Sequence, residues 1–156
     1  MKLIVLTGLP TKEKELLTHD LAQFYVAAGL RVAVLDNANV AAGLADVDGI
    51  QTIVSMRGGC ACCSVAGKLF ETAAKIGADT DVAIMAADNQ THVGNLAGVL
   101  DNLVAGSSIP VEVIKVALVD ERTTCCFPYM AETLESYADV TLHAPFSVES
   151  VLMAGV

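Results

Sequence analysis

The chain has 156 residues, a formal net charge of −9 and a composition that is a little over half apolar. That length is typical of one domain with a substantial core, and we predict a single domain over residues 1–156. The acidic surface argues against nucleic acid or a membrane surface as a partner, and no apolar run approaches the ~18–20 residues that span a bilayer.

The five cysteines favour a reducing compartment. They are odd in number, and four of them form the adjacent pairs Cys62-Cys63 and Cys125-Cys126. Adjacent cysteines bridge each other only with strain, so this is not the pattern of a secreted disulfide framework. We therefore predict a cytoplasmic protein whose thiols serve metal or redox chemistry.

Short β-rich runs alternate with helical stretches along the whole chain. The first run, KLIVLT, is continuously apolar, as expected of a strand that is buried on both faces and not of a signal peptide. The predicted strands are 2–7, 31–35, 50–56, 81–87, 111–119, 123–124 and 140–143, and the predicted helices are 12–28, 65–76, 91–104, 130–137 and 146–152. This alternation predicts an α/β fold, a three-layer sandwich with a mainly parallel sheet and helices on both faces. Ligands bind such folds at the carboxyl ends of the strands.

The segment GLPTKEKE lies between the first predicted strand and the first helix, where a phosphate-binding P-loop would lie. The pattern G-x-x-x-x-G-K-[ST], aligned from Gly8, places Lys14 on its lysine, Glu13 on the second glycine and Glu15 on the hydroxyl residue. A carboxylate ~4 Å from a phosphate charge costs on the order of 4 kcal/mol at an effective dielectric near 20. Alternatively, the two glutamates form an ordinary charged first helical turn. Both interpretations predict a P-loop NTPase-like fold with a degenerate P-loop, in which only Gly8 and Lys14 are candidate nucleotide-binding residues and NTP hydrolysis is lost.

The segment GGCACCSV, at residues 58–65, lies between a predicted strand and a helix. Its three thiols fall within four residues of a turn that two glycines loosen, so they can converge on one soft or borderline cation. A helix amino terminus also lowers the pKa of nearby thiols. We predict that Cys60, Cys62 and Cys63 bind a transition metal, with zinc as the first candidate.

The order of these motifs resembles that of the CobW-type metallochaperone GTPases. The matching segments are GLPTKEKELL, GLRVAVLDNANV and IVSMRGGCACCSVAGKL, and the resemblance covers about residues 1–90. It implies that the three cysteines bind zinc, cobalt or a related ion and that the partner is a client metalloprotein. The sequence departs from the family at the P-loop, at Ala86-Ala87-Asp88-Asn89 after the fourth long strand, in having no N-K-x-D motif and in having no counterpart of the carboxy-terminal domain.

Weaker candidate ligands lie at other predicted strand ends. His92 is either a metal ligand or a capped surface residue. Cys125 and Cys126 are either a fourth ligand or a redox partner for the first cluster, or two small buried residues. Asp36, Asp88 and Asp120 either hold Mg²⁺ or cap local structure.

These observations predict a metal-binding protein on a pseudo-GTPase scaffold, which holds or delivers its ion through the GCACC segment. The alternatives are a divergent nucleotide-binding GTPase or ATPase, a cytoplasmic thiol redox protein and a scaffold module. Because related P-loop GTPases often pair their active edges across a two-fold axis, a homodimer with shared cysteine ligands is also predicted.

Overall fold

The computed structural model describes all residues, Met1–Val156, as alternating strands and helices. The strands are β1 (Lys2–Thr7), β2 (Val32–Asp36), β3 (Ile50–Ser55), β4 (Val82–Ala86), β5 (Glu112–Val119) and β6 (Val140–His143). The helices are α1 (Thr11–Ala27), α2 (Ala66–Ile76), α3 (Val93–Gly106), α4 (Glu121–Cys126), α5 (Pro128–Tyr137) and α6 (Val148–Met153), with a short 3₁₀ helix at Ala41–Leu44. No helix has both the length and the apolar character needed to cross a membrane.

All six strands are parallel and form one sheet in the order β3-β2-β4-β1-β5-β6. In the central strand β1, Ile4 lies opposite Ile84 of β4 on one side and Ile114 of β5 on the other. Parallel neighbours need crossover connections, which the helices supply.

Side chains of β1 alternate between two hydrophobic cores on opposite faces of the sheet. Ile4 and Leu6 belong to the core that α1 and α6 cover, whereas Leu3 and Val5 belong to the core that α2 and α3 cover. A sheet buried on both faces explains the continuous apolar run in β1. The predicted α/β three-layer fold is therefore confirmed.

The prediction of a strand at residues 123–124 is wrong, because these residues belong to α4. Asp120 caps this helix, since its Oδ1 accepts a hydrogen bond of 2.7 Å from the Thr123 backbone N–H. The Thr124 hydroxyl donates to the Asp120 carbonyl oxygen at 3.2 Å. A capping aspartate has thus overridden the β-preference of two adjacent threonines.

Candidate metal centre and phosphate loop

The second half of the segment aligned with the phosphate loop, from Thr11 onward, forms the first turn of α1. The helix begins at Thr11, and the Lys14 backbone N–H donates to the Pro10 carbonyl oxygen at 2.9 Å. Because a P-loop binds phosphate through backbone N–H groups that converge from an irregular, glycine-rich turn, this helical turn lacks that arrangement. Gly8 keeps a packing role: it has φ +123°, and a Cβ there would clash with the Leu118 carbonyl oxygen of β5.

Lys14 is fully buried and hydrogen-bonded within the protein. Its Nζ donates to the Ala87 carbonyl oxygen and to Asn89 Oδ1, both at 2.8 Å. Burial lowers the pKa of Lys14 to about 8, although the nearby Asp88 carboxylate opposes that shift. The lysine that would contact phosphate in a P-loop is therefore satisfied by the chain itself.

Asn89 connects the end of β4 to the start of α1. While its Oδ1 accepts from Lys14, its Nδ2 donates to the Leu9 carbonyl oxygen at 3.1 Å and to Thr11 Oγ1 at 2.6 Å. The Asn89 carboxamide thus gives Lys14 an acceptor comparable to a phosphate oxygen. Sequence reasoning did not identify this role, because the partners of Asn89 lie far from it along the chain.

The surface beside this turn carries more negative than positive charge. An open cavity of 470 Å³ is lined by Glu13, Asp120 and Arg122, together with Leu9, Asn89 and other residues. Two carboxylates against one guanidinium disfavour an anion such as a nucleotide phosphate. Glu15 lies outside this cavity lining and is half-buried.

The three sulfurs of Cys60, Cys62 and Cys63 converge at the start of α2. The Cys60 sulfur lies 2.6 Å from that of Cys62 and 2.7 Å from that of Cys63, and the Cys62 and Cys63 sulfurs are 4.0 Å apart. Cys63 is exposed and the other two are half-buried, and all three are free thiols. They form the one group of three or more His, Cys, Asp or Glu side chains whose geometry could hold a metal ion.

The pKa values of Cys60 and Cys62 are shifted in opposite directions. Hydrogen bonds from Cys62 and Cys63 lower the pKa of Cys60 below its ordinary value. Burial, together with the hydrogen bond to Cys60, raises the pKa of Cys62 to about 11. The predicted lowering of thiol pKa occurs at Cys60, where the neighbouring thiols cause it and not a helix amino terminus, and it is wrong for Cys62, where burial dominates.

Asn37, which follows β2, anchors the base of the cysteine loop, the segment 58–65. Its Nδ2 donates to the carbonyl oxygens of Met56 at 2.9 Å and Gly59 at 2.8 Å, and its Oδ1 accepts from the Asp88 backbone N–H at 2.9 Å. This buried amide joins the ends of three adjacent strands, β2, β3 and β4. Sequence reasoning did not identify its contacts, because the partners lie far apart along the chain.

His92 caps α3 and lies outside the sulfur group. Its Nδ1 accepts from the Asn95 backbone N–H at 3.3 Å, and none of its atoms belongs to the group that could hold a metal ion. Cys125 and Cys126 are exposed in α4 and also lie outside the group, so the interpretation of them as buried residues is wrong.

The three aspartates at strand ends all organise local backbone. Asp36 accepts from the N–H groups of Val40 and Ala41, at 2.8 and 3.1 Å. Asp88 accepts from the Gln90 N–H at 2.8 Å, and Asp120 caps α4. The capping interpretation accounts for all three positions.

Comparisons with solved structures identify the fold. The signal recognition particle receptor FtsY from Elizabethkingia anophelis matches with a TM-score of 0.59 and 20% identity, over 91% of this chain and 49% of that chain. Chloroplast FtsY from Physcomitrella patens gives 0.64 and 18%, over 91% of this chain and 49% of that chain. FlhF complexed with GTP/Mg²⁺ gives 0.56 and 10%, over 99% of this chain and 61% of that chain.

The chain therefore has the fold of the P-loop GTPases, and these likenesses show the fold alone. It spans about half the length of the FtsY structures that it matches. No protein-family model matches the sequence, and no curated protein matches it either.

Proposed function

We propose that this protein holds or delivers a transition metal through Cys60, Cys62 and Cys63, on a P-loop GTPase fold that no longer hydrolyses nucleotide. The convergence of three free thiols on one loop is the observation that carries the proposal. Thiolates are the preferred protein ligands of zinc, copper(I) and iron–sulfur clusters. Zinc remains our first candidate because thiolates are among its usual ligands in tetrahedral sites, and the resemblance to CobW-type metallochaperones implies zinc, cobalt or a related ion.

The sulfur positions need a small adjustment to accept zinc. With Zn–S near 2.3 Å, a tetrahedral site separates its sulfurs by about 3.8 Å. The Cys62 and Cys63 sulfurs are already 4.0 Å apart, so the Cys60 sulfur has to withdraw from both by about 1 Å. Because Cys60 follows two glycines with positive φ, at +110° and +138°, such a movement requires only a rotation on a loosened turn.

The altered phosphate loop supports the loss of nucleotide chemistry. Lys14 is buried against Ala87 and Asn89, and the adjoining cavity presents Glu13 and Asp120. A nucleotide would have to displace these contacts and then meet like charges. The proposal extends to a cytoplasmic location, a client metalloprotein as partner and pairing of two copies, as the sequence resemblance and analogy suggest.

Elemental analysis of protein purified without chelators tests the proposal. We expect near-stoichiometric metal in the wild type and loss of that metal when Cys60, Cys62 and Cys63 are replaced by Ser. The matched control replaces Cys125 and Cys126 by Ser, which removes two exposed thiols outside the cluster and should leave the metal content unchanged. Metal retained after the triple replacement would exclude the cysteine loop as the binding site.

Two alternative functions rest on specific observations. A divergent nucleotide-binding protein is suggested by the fold and by the retained Lys14, and a stability increase with millimolar Mg-GTP or Mg-ATP would support it. A thiol redox protein is suggested by the proximity of the Cys60 sulfur to two others. Titration of five free thiols after aerobic purification would exclude a redox couple.

A further inference from the structure

The sulfur cluster supplies three ligands, which is one fewer than tetrahedral zinc requires. No other histidine, cysteine or carboxylate joins the group of Cys60, Cys62 and Cys63. Structural zinc sites are closed by four protein ligands, whereas sites with three protein ligands keep a position for water or substrate. We propose, on the basis of the function proposed above, that the bound ion keeps its fourth coordination position open for an external thiolate or imidazole, so that the cluster is a site of metal exchange.

The weaker candidate ligands that the sequence offers have other positions or other roles. The His92 Nδ1 accepts a backbone hydrogen bond at the start of α3, which fixes the imidazole as a helix cap. Cys125 and Cys126 end the helix that follows β5, and in the sheet three strands separate β5 from β3, which leads into the cysteine loop. The four strand spacings between β3 and β5, each about 4.8 Å, separate these two strands by ~19 Å.

Burial makes the cluster asymmetric, and the asymmetry defines its open side. Cys62 is half-buried and packs against the hydrophobic core below α2 and α3. Cys63 is exposed to solvent, as is the adjacent Ser64. The Asn37 amide holds the Gly59 carbonyl oxygen and so fixes the base of the loop. An incoming ligand can therefore approach beside Cys63 without displacing the core.

The exchange is a ligand substitution without electron transfer. A water molecule leaves the metal as the thiol or imidazole of the acceptor binds, and a thiol releases its proton to solvent as its sulfur becomes a thiolate ligand. Because Cys63 is the most exposed of the three ligands, it is the first of them that a further ligand from the acceptor can replace. An acceptor with soft or borderline donors, such as a cysteine- or histidine-containing metal site, is the partner that fits this chemistry.

Cobalt(II)-loaded protein tests the open position, with imidazole as the probe. Thiolate-to-cobalt charge-transfer absorption reports the sulfur ligands, and X-ray absorption reports their number. We expect three sulfur ligands and one oxygen or nitrogen ligand, and a saturable change in the visible spectrum on addition of imidazole. The His92→Ala variant should give the same spectrum and the same response, because the His92 imidazole is not a ligand in this proposal.

Three spectroscopic results would overturn the inference while leaving metal binding intact. These are four sulfur ligands, a spectrum that imidazole does not change, and loss of a nitrogen ligand in His92→Ala. The homodimer with shared cysteine ligands, expected by analogy, is the alternative to an open position. A metal-dependent dimer in sedimentation experiments would mean that a second copy closes the fourth position, and it would contradict the inference. A protein that gives no charge-transfer absorption with cobalt(II) would instead contradict the proposed function itself, and the inference with it.

Discussion

At the scale of single residues, the most informative feature is a P-loop lysine that has acquired internal partners. Lys14 has no contact with solvent, and its ammonium group is satisfied by a backbone carbonyl and by the Asn89 carboxamide. A buried charge is tolerated only when hydrogen bonds replace its lost hydration. The lysine position that binds ligand in P-loop proteins is therefore, through the contact of Lys14 with Asn89, part of the packed interior of this protein.

Replacing Asn89 tests that structural role. We expect Asn89→Ala to lower the free energy of unfolding by roughly 1.5–3 kcal/mol, because Lys14 then remains buried with one acceptor fewer. Urea denaturation at pH 7 measures the loss. Asn102→Ala is the matched control, since Asn102 is exposed on α3 and its replacement should change stability by less than about 0.5 kcal/mol. Equal effects of the two replacements would contradict the role assigned to Asn89.

The titration of Lys14 gives a pH dependence of defined sign. Burial lowers its pKa from 10.5 to about 8 in the folded protein. Between these values the unfolded chain binds a proton that the folded chain does not, so the contribution of Lys14 to stability is least favourable below pH 8 and rises towards pH 10.5. The unfolding free energy of the wild type, relative to Lys14→Met, should therefore increase by on the order of 3 kcal/mol from pH 7 to 11.

Urea denaturation of both proteins at several pH values provides the measurement, and the subtraction removes the titration of tyrosine and cysteine. A difference that stays constant across this range would mean that the Lys14 ammonium is not desolvated as the structure indicates.

Residue spacing predicted the sulfur cluster but not the amide contacts that support it. Three cysteines within four residues are confined to one turn by chain connectivity alone, so their convergence follows from local sequence. Asn37 and Asn89 act on partners far along the chain, such as Met56 and Leu9. Nothing local distinguishes these asparagines from others in loops, because their roles depend on which strands become neighbours.

At the scale of elements, the cysteine loop depends on two glycines with different constraints. Both have positive φ, which side chains rarely adopt. A Cβ at Gly58 would meet open space, whereas a Cβ at Gly59 would clash with the Ser64 hydroxyl. Gly59 therefore lies directly against Ser64 within the turn that gathers the sulfurs. Residues 123–124, which were predicted as a strand, are helical because a single local contact, the cap at Asp120, determines the secondary structure there.

The two glycines allow a paired test of the loop. We expect Gly58→Ala to cost roughly 1–2 kcal/mol of stability through backbone strain, and Gly59→Ala to cost more and also to weaken zinc binding at least tenfold. Competition with a chromophoric chelator measures the zinc affinity of each variant. Unchanged zinc affinity in Gly59→Ala would show that the contact with Ser64 does not hold the loop in its metal-binding arrangement.

At the scale of the whole molecule, alternation of strand and helix sufficed to predict the fold class, but not the strand order. Each crossover connects parallel strands, so parallel pairing follows from the sequence pattern. The placement of β4 between β2 and β1 does not, because it depends on long-range packing of α1 and α3 against the sheet. That placement brings the loop after β4 next to both the start of α1 and the cysteine loop.

The fold and its altered site together predict opposite responses to zinc and nucleotide. Zinc at 100 times its dissociation constant should stabilise the wild type by ~2.7 kcal/mol, a rise in melting temperature of roughly 5–10 °C for a chain of this size. Mg-GTP at millimolar concentration should produce no shift, because Lys14 is occupied and Glu13 and Asp120 flank the site. Differential scanning fluorimetry measures both, with the Cys60, Cys62 and Cys63 to Ser variant as the control that should lose the zinc response. A shift with Mg-GTP that disappears in Lys14→Met would favour a divergent nucleotide-binding protein, since only a phosphate bound at that lysine would give this pair of results.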